Sequence, residues 1–141
     1  MINSPVQRHM YSVSVSRSFV AQHYLTVPDP GPEGELHSHH YSLEVTVESL
    51  DLDDNGYVID IDELTIAVDD VVDEFRDRPL NDQPAFDGLN PSVEHFTRVV
   101  ADRLASDARL STDRMRSLRV AMDEDDTARV SYERALTGEP V

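Results

Sequence analysis

The sequence predicts an α+β domain with the order strand, strand, helix, helix, strand, strand, and three observations carry that expectation. Apolar residues recur with a period of two over residues 10–20 and 41–50. They recur at helical spacing over residues 64–75 and again over 93–104. Two short apolar runs then flank an acidic turn near the end of the chain. A four-stranded antiparallel sheet with both helices packed on one face buries every one of these stripes.

Each element follows from its residues. Tyr11, Val13 and Val15 share one face of an extended segment that runs toward His23. Residues 27–35 hold three prolines and two glycines and are expected to form a loop. Tyr41, Leu43, Val45 and Val47 mark a second strand that ends near Leu50, followed by a polar turn over 51–56 and a short apolar stretch over 57–61. Leu64, Val68, Val71, Val72 and Phe75 give a first amphipathic helix, and residues 76–89, with Pro79 and Pro84, form an irregular connection. The second helix opens at Asn90-Pro91-Ser92, with proline expected at its first position and Asn90 or Ser92 as its cap. Val93, Phe96, Val99, Val100 and Leu104 face inward from it. Residues 118–122 and 128–132 are the closing strands around the acidic turn 123–126. We expect residues 1–9 to be a loose leader, 10–135 one undivided domain, and 136–141 a disordered tail. The sheet edges and the uncovered sheet face need a partner, which points to a homo-oligomer.

Composition narrows the function classes. A chain of 141 residues fits one domain with one core. No apolar run approaches a membrane span and the first residues lack the pattern of a signal peptide, so a soluble, cytoplasmic protein is expected. The absence of cysteine excludes disulfides, thiolate metal sites and thiol nucleophiles. The formal charge is −16, from 28 acidic residues against 12 basic ones, and every basic residue is arginine. Such a surface repels nucleic acid and anionic membranes, so neither is expected as a partner. It suits a high-salt cytoplasm, or an organism that favours arginine over lysine.

Three of the six histidines stand out by spacing. His37 and His39 are two apart in an extended segment and emerge on one face, while His40 points the other way. His23 ends the neighbouring strand, where hairpin pairing brings it beside that face. Three imidazoles with an open fourth position form a common catalytic zinc arrangement. A histidine pair on an exposed strand also occurs with no ligand at all.

Several ordered motifs carry a family resemblance. Phe19-Val-Ala-Gln-His23-Tyr-Leu25 resembles the F-x-A-x-H-x-L opening of the 6-pyruvoyl- and 6-carboxy-tetrahydropterin synthase family. Leu36-His37-Ser38-His39-His40-Tyr41 is similar to its L-H-G-H-x-Y, and Gly56-Tyr-Val-Ile-Asp60-Ile61 to its G-x-V-x-D-F. Leu80-Asn81-Asp82 matches L-N-D, and Asn90-Pro91-Ser92-Val-Glu94 matches N-P-T-x-E. Val120-Ala-Met122-Asp-Glu124, followed by Tyr132, resembles V-x-V-x-E-T and the closing tyrosine.

The resemblance implies the tunnelling fold, in which ββααββ subunits assemble through their sheets into a barrel as a trimer or hexamer. It implies Zn2+ on His23, His37 and His39, and Glu124 as the carboxylate that anchors a pterin, typically 7,8-dihydroneopterin triphosphate, in routes to tetrahydropterins or 7-deazaguanines. The acid–base residues depart from the pattern. Glu33 stands where the family has its cysteine, four residues before the first histidine of the pair, and Arg76-Asp77 stands where it has Asp-His. Tyr24 stands where a basic residue is common; Arg17, Arg76 or Arg78 would have to meet a phosphate instead. Glu33, Glu35 and Asp77 are therefore the candidate catalytic carboxylates. Three activities remain open: a zinc-dependent lyase, an aldolase-type cleavage to 6-hydroxymethyl-dihydropterin with a glutamate base, and a zinc- and pterin-binding protein without catalysis. A second motif, Asp51-Leu-Asp53-Asp-Asn55-Gly56 with Asp62 in twelfth place, fits an EF-hand loop in composition. The strand pattern before it argues for a simple connection.

Overall fold

The computed structural model describes residues 9–110 and 112–136. Strand β1 (Tyr11–His23) pairs antiparallel with β2 (His37–Ser49), from Tyr11 opposite Ser49 to His23 opposite His37. Helices α1 (Ile61–Phe75) and α2 (Val93–Ala105) follow. Strands β3 (Met115–Glu124) and β4 (Ala128–Ala135) close one antiparallel sheet in the order β1-β2-β3-β4. The α+β expectation therefore holds.

Alternation decides which face is covered. Val15, Phe19 and Ala21 of β1, Tyr41, Leu43, Val45 and Val47 of β2, and Leu118, Val120 and Met122 of β3 are buried in one cluster with the inward residues of both helices. Helix α1 packs on β1, and α2 on β3 and β4. The opposite sheet face is polar, with Ser14 hydrogen-bonded to Thr46 at 2.8 Å and Arg129 paired to Glu44 and Asp123. Phe96 anchors the core toward the His23 end, with ring centroids 6.0 Å from Phe19, 5.1 Å from Tyr41, 5.3 Å from Phe75 and 5.9 Å from Phe86.

The boundaries differ where backbone geometry outruns side-chain pattern. Strand β3 extends to Met115 and Glu124, and β4 to Ala135, because ladder hydrogen bonds continue past the last apolar residue. Helix α1 begins three residues before its apolar stripe; Asp60 caps it by accepting from the Asp62 amide, and Ile61 is 60% exposed. At α2 the cap is Ser92, which accepts from the His95 amide, so Pro91 lies outside the helix and not at its first position. Asp53 accepts from the amides of Asn55 and Tyr57, and a strand, not a helix, precedes this EF-hand-like turn. Nearly all of the expected leader and tail lies outside the described residues.

Candidate metal centre

The register of β1 on β2 places His23 directly opposite His37, and the pleat returns His39 to the same face. That face is the helix-covered one, so the three imidazoles sit at the open end of the core layer. Their ring centroids are 4.6 Å (His23–His37), 4.9 Å (His23–His39) and 4.8 Å (His37–His39) apart. One ring nitrogen from each lies within 4.8 Å of the others, a group able to hold a metal ion. The polypeptide lets them meet because β1 ends and β2 begins here.

Each ring is oriented through Nδ1. His23 donates to the Pro91 carbonyl at 2.8 Å, His37 to the Glu35 carbonyl at 2.7 Å, and His39 to the Asp125 carboxylate. These oxygens can only accept, so Nδ1 carries the proton and Nε2 keeps its lone pair. The Nε2 of His37 is buried and has no hydrogen-bond partner. A buried imidazole nitrogen left without a partner costs free energy unless something binds it. Burial pushes the His23 pKa down, opposed by its hydrogen bond to Pro91, a direction that favours the neutral form a metal ligand needs.

The loops that carry this end are themselves clamped. Asn81 bridges Tyr24 from both sides, accepting from its amide at 2.9 Å and donating to its carbonyl at 3.0 Å. Asn90 accepts from the Thr26 amide at 2.9 Å. Both asparagines thus continue the edge of β1 past His23 with side-chain amides in place of a strand, which accounts for their position in the motifs.

The expected carboxylates divide. Glu124 lies opposite Tyr41 on the helix-covered face, with Oε1 4.0 Å from Nε2 of His39. Burial raises its pKa, the nearby His39 opposes this, and the charges of Asp125 and Glu33 add to the rise. The charge of Glu33 contributes to the shifts at both His23 and Glu124, and its side chain is exposed. Glu35 contributes its backbone carbonyl to His37, and its side chain is exposed. Asp77 sits beyond the end of α1 with a positive φ of 58° and donates its amide to the Val20 carbonyl at 2.7 Å. No hydrogen bond or ion pair joins the Asp77 side chain to the histidines among the described residues. Arg17 is paired to Asp69 and Arg76 to Asp73.

Sequence reasoning missed Asp125 and the two carbonyls. The carbonyls carry no sequence signal. Asp125 had a faint one, standing where the resembled motif has threonine inside an acidic turn that reads as solvated surface.

Fold and site together define a sheet-and-helix domain of the tunnelling-fold class with a three-histidine centre. The chain belongs to the 6-pyruvoyl tetrahydropterin synthase family, whose model matches residues 12–135. A protein from Archaeoglobus fulgidus, provisionally named 6-carboxy-5,6,7,8-tetrahydropterin synthase, is 29% identical over 118 residues, which is 84% of this chain and 93% of that one. The 6-pyruvoyl tetrahydropterin synthase of Plasmodium vivax superposes with a TM-score of 0.74 at 17% identity, over 90% of this chain and 99% of that one. Two variant structures of the Plasmodium protein replace a glutamate described as a catalytic residue. The Caenorhabditis elegans 6-pyruvoyl tetrahydropterin synthase gives a TM-score of 0.73 at 19% identity, over 96% of this chain and all of that one.

Proposed function

We propose that this chain is a zinc-dependent pterin lyase acting on 7,8-dihydroneopterin triphosphate, in the manner of 6-carboxytetrahydropterin synthase. The observation that carries the proposal is the convergence of three Nδ1-anchored imidazoles beside Glu124, with the buried Nε2 of His37 unpartnered. An all-imidazole set of three suits zinc, which binds nitrogen in a tetrahedron and keeps its fourth position for substrate. A zinc ion held there would polarise the hydroxyls of the substrate side chain.

Glu124 anchors the pterin by accepting from its ring N–H and amino group, a bidentate arrangement open to a carboxylate. Glu33 is the candidate base, with Glu35 and Asp77 behind it. The chain assembles through its sheet edges into a barrel of three or six copies and works in the cytoplasm. No helix of the described residues is long and apolar enough to cross a membrane.

A second reading is aldol cleavage of a dihydroneopterin with Glu33 or Glu35 as base. It is motivated by Glu33 standing at the family's cysteine position, where a carboxylate and not a thiol would have to act as base. One assay separates the readings. Zinc-loaded protein is incubated with dihydroneopterin triphosphate over a range of salt concentrations, products are followed by mass, and released acetaldehyde is trapped. Acetaldehyde with a carboxytetrahydropterin supports the lyase, and 6-hydroxymethyl-dihydropterin supports the aldolase. Tight pterin binding with no conversion, unaffected by Glu33→Ala, would show a binding protein and sink both.

A further inference from the structure

The turn between β3 and β4 reaches back over the start of β2. Asp125 and Asp126 lie there at φ 51° and 60°, a conformation that aspartate and asparagine tolerate better than most side chains. The Asp125 amide donates to the His40 carbonyl at 2.8 Å, and its Oδ1 accepts from the His40 amide at 2.8 Å. With one oxygen held by that amide, the other, Oδ2, accepts from Nδ1 of His39. His23 and His37 are oriented by backbone carbonyls, so His39 is the centre's one ligand held by a side chain among the described residues.

Resting on the metal reading above, we propose that Asp125 is a positioning residue that fixes the tautomer and rotation of His39 as a metal ligand. A carboxylate offers no donor, so Nδ1 must carry the proton and Nε2 must present its lone pair. It is also anionic and makes the ring a better electron donor than a carbonyl would. Asparagine at this position has the same shape and the wrong chemistry. With its oxygen on the His40 amide, its NH2 group faces Nδ1 and demands an acceptor there. The ring proton then moves to Nε2, where it blocks the metal. Turning the amide over sets an NH2 group against the His40 N–H, which leaves that donor unpaired.

The test compares wild type, Asp125→Asn and Asp125→Gly. Glycine accepts the positive φ without strain and removes the carboxylate altogether. Zinc affinity is read by competition with a chromophoric chelator, and the metal-free proteins are melted to check that each folds. The expected result is a loss of roughly 10- to 100-fold in affinity, the range for removing such a partner. Asparagine should be the worse variant although it is the better steric match. Nitrogen-15 NMR of the metal-free protein, with the peaks assigned through His39→Gln, should show the proton on Nδ1 in wild type and on Nε2 in Asp125→Asn. Unchanged affinity or an unchanged His39 tautomer in Asp125→Asn overturns the positioning role while leaving the metal centre standing. A wild-type protein that takes up no zinc overturns both.

Discussion

The two ends of the sheet are both polar and acid-rich, yet they are built on opposite principles. At one end His23, His37 and His39 turn their Nδ1 atoms outward to fixed oxygens and leave Nε2 inward, that of His37 buried and unpaired. At the other end lies the turn of residues 51–56, whose composition fits a calcium loop. There Asp53 is consumed locally: its side chain accepts from Asn55 and Tyr57, and its backbone pairs with Tyr57 and Gly56. Those backbone hydrogen bonds hold its pKa below the ordinary range, the mark of a carboxylate already satisfied by its own turn. A cavity of about 480 Å³, lined in part by Tyr11, Tyr57 and Ile61, also lies at this second end. Acidity does not separate the two ends. What separates them is whether the donors converge while still unsatisfied.

The sharpest way to break this contrast is His37→Ala. A zinc site is worth on the order of 10–16 kcal/mol in small domains, so removing one of three protein ligands should cost about 4 kcal/mol. That is about a thousandfold in affinity, read by chelator competition; an affinity near wild type would show that the centre is not the zinc site. Next in size is Glu124→Gln, which keeps the shape and loses the charge. Pterin binding should weaken by about 1.5–3 kcal/mol, the worth of charge-assisted hydrogen bonds, measured by titration calorimetry, with zinc affinity changing far less.

Asn90→Ala removes the acceptor for the Thr26 amide and frees the chain just beyond His23. We expect about 1 kcal/mol of lost stability in a denaturant melt and a few-fold loss of zinc affinity. The smallest effect belongs to the other end. Asp53→Ala should leave zinc affinity unchanged, and calcium should not raise the melting temperature of wild type. A calcium-dependent rise that vanishes in Asp51→Ala would overturn the contrast.

How much of the site is legible in the sequence depends on the kind of interaction. The alternation of Tyr41, Leu43, Val45 and Val47 set the covered face of β2, and parity alone then put His37 and His39 on it and His40 off it. Phe96 and its helical neighbours were legible in the same way. Pro91 lies outside the helix although the sequence favours proline at the first helical position, because that propensity is a local average. Tertiary context overrode it: the Pro91 carbonyl is taken by His23, 68 residues away in sequence. In the sequence Glu33 and Glu35 are the candidate bases, and Asp77 is a second carboxylate that fits a solvated loop residue at least as well. The structure sets Glu33 within the electrostatic reach of His23 and Glu124, and hydrogen-bonds the Asp77 backbone to the edge of β1.

By itself, then, the sequence determined the element order, the buried face and the identity of the three imidazoles, because periodicity and parity are properties of the chain. Only the tertiary structure decided that Nε2 is the inward nitrogen of each ring. That depends on the Pro91 and Glu35 carbonyls and the Asp125 carboxylate, and a tautomer is chosen by whatever faces the other nitrogen. Two of those partners are backbone atoms with no residue signature. The third comes from a turn 86 residues from His39, which only the β2–β3 register brings alongside.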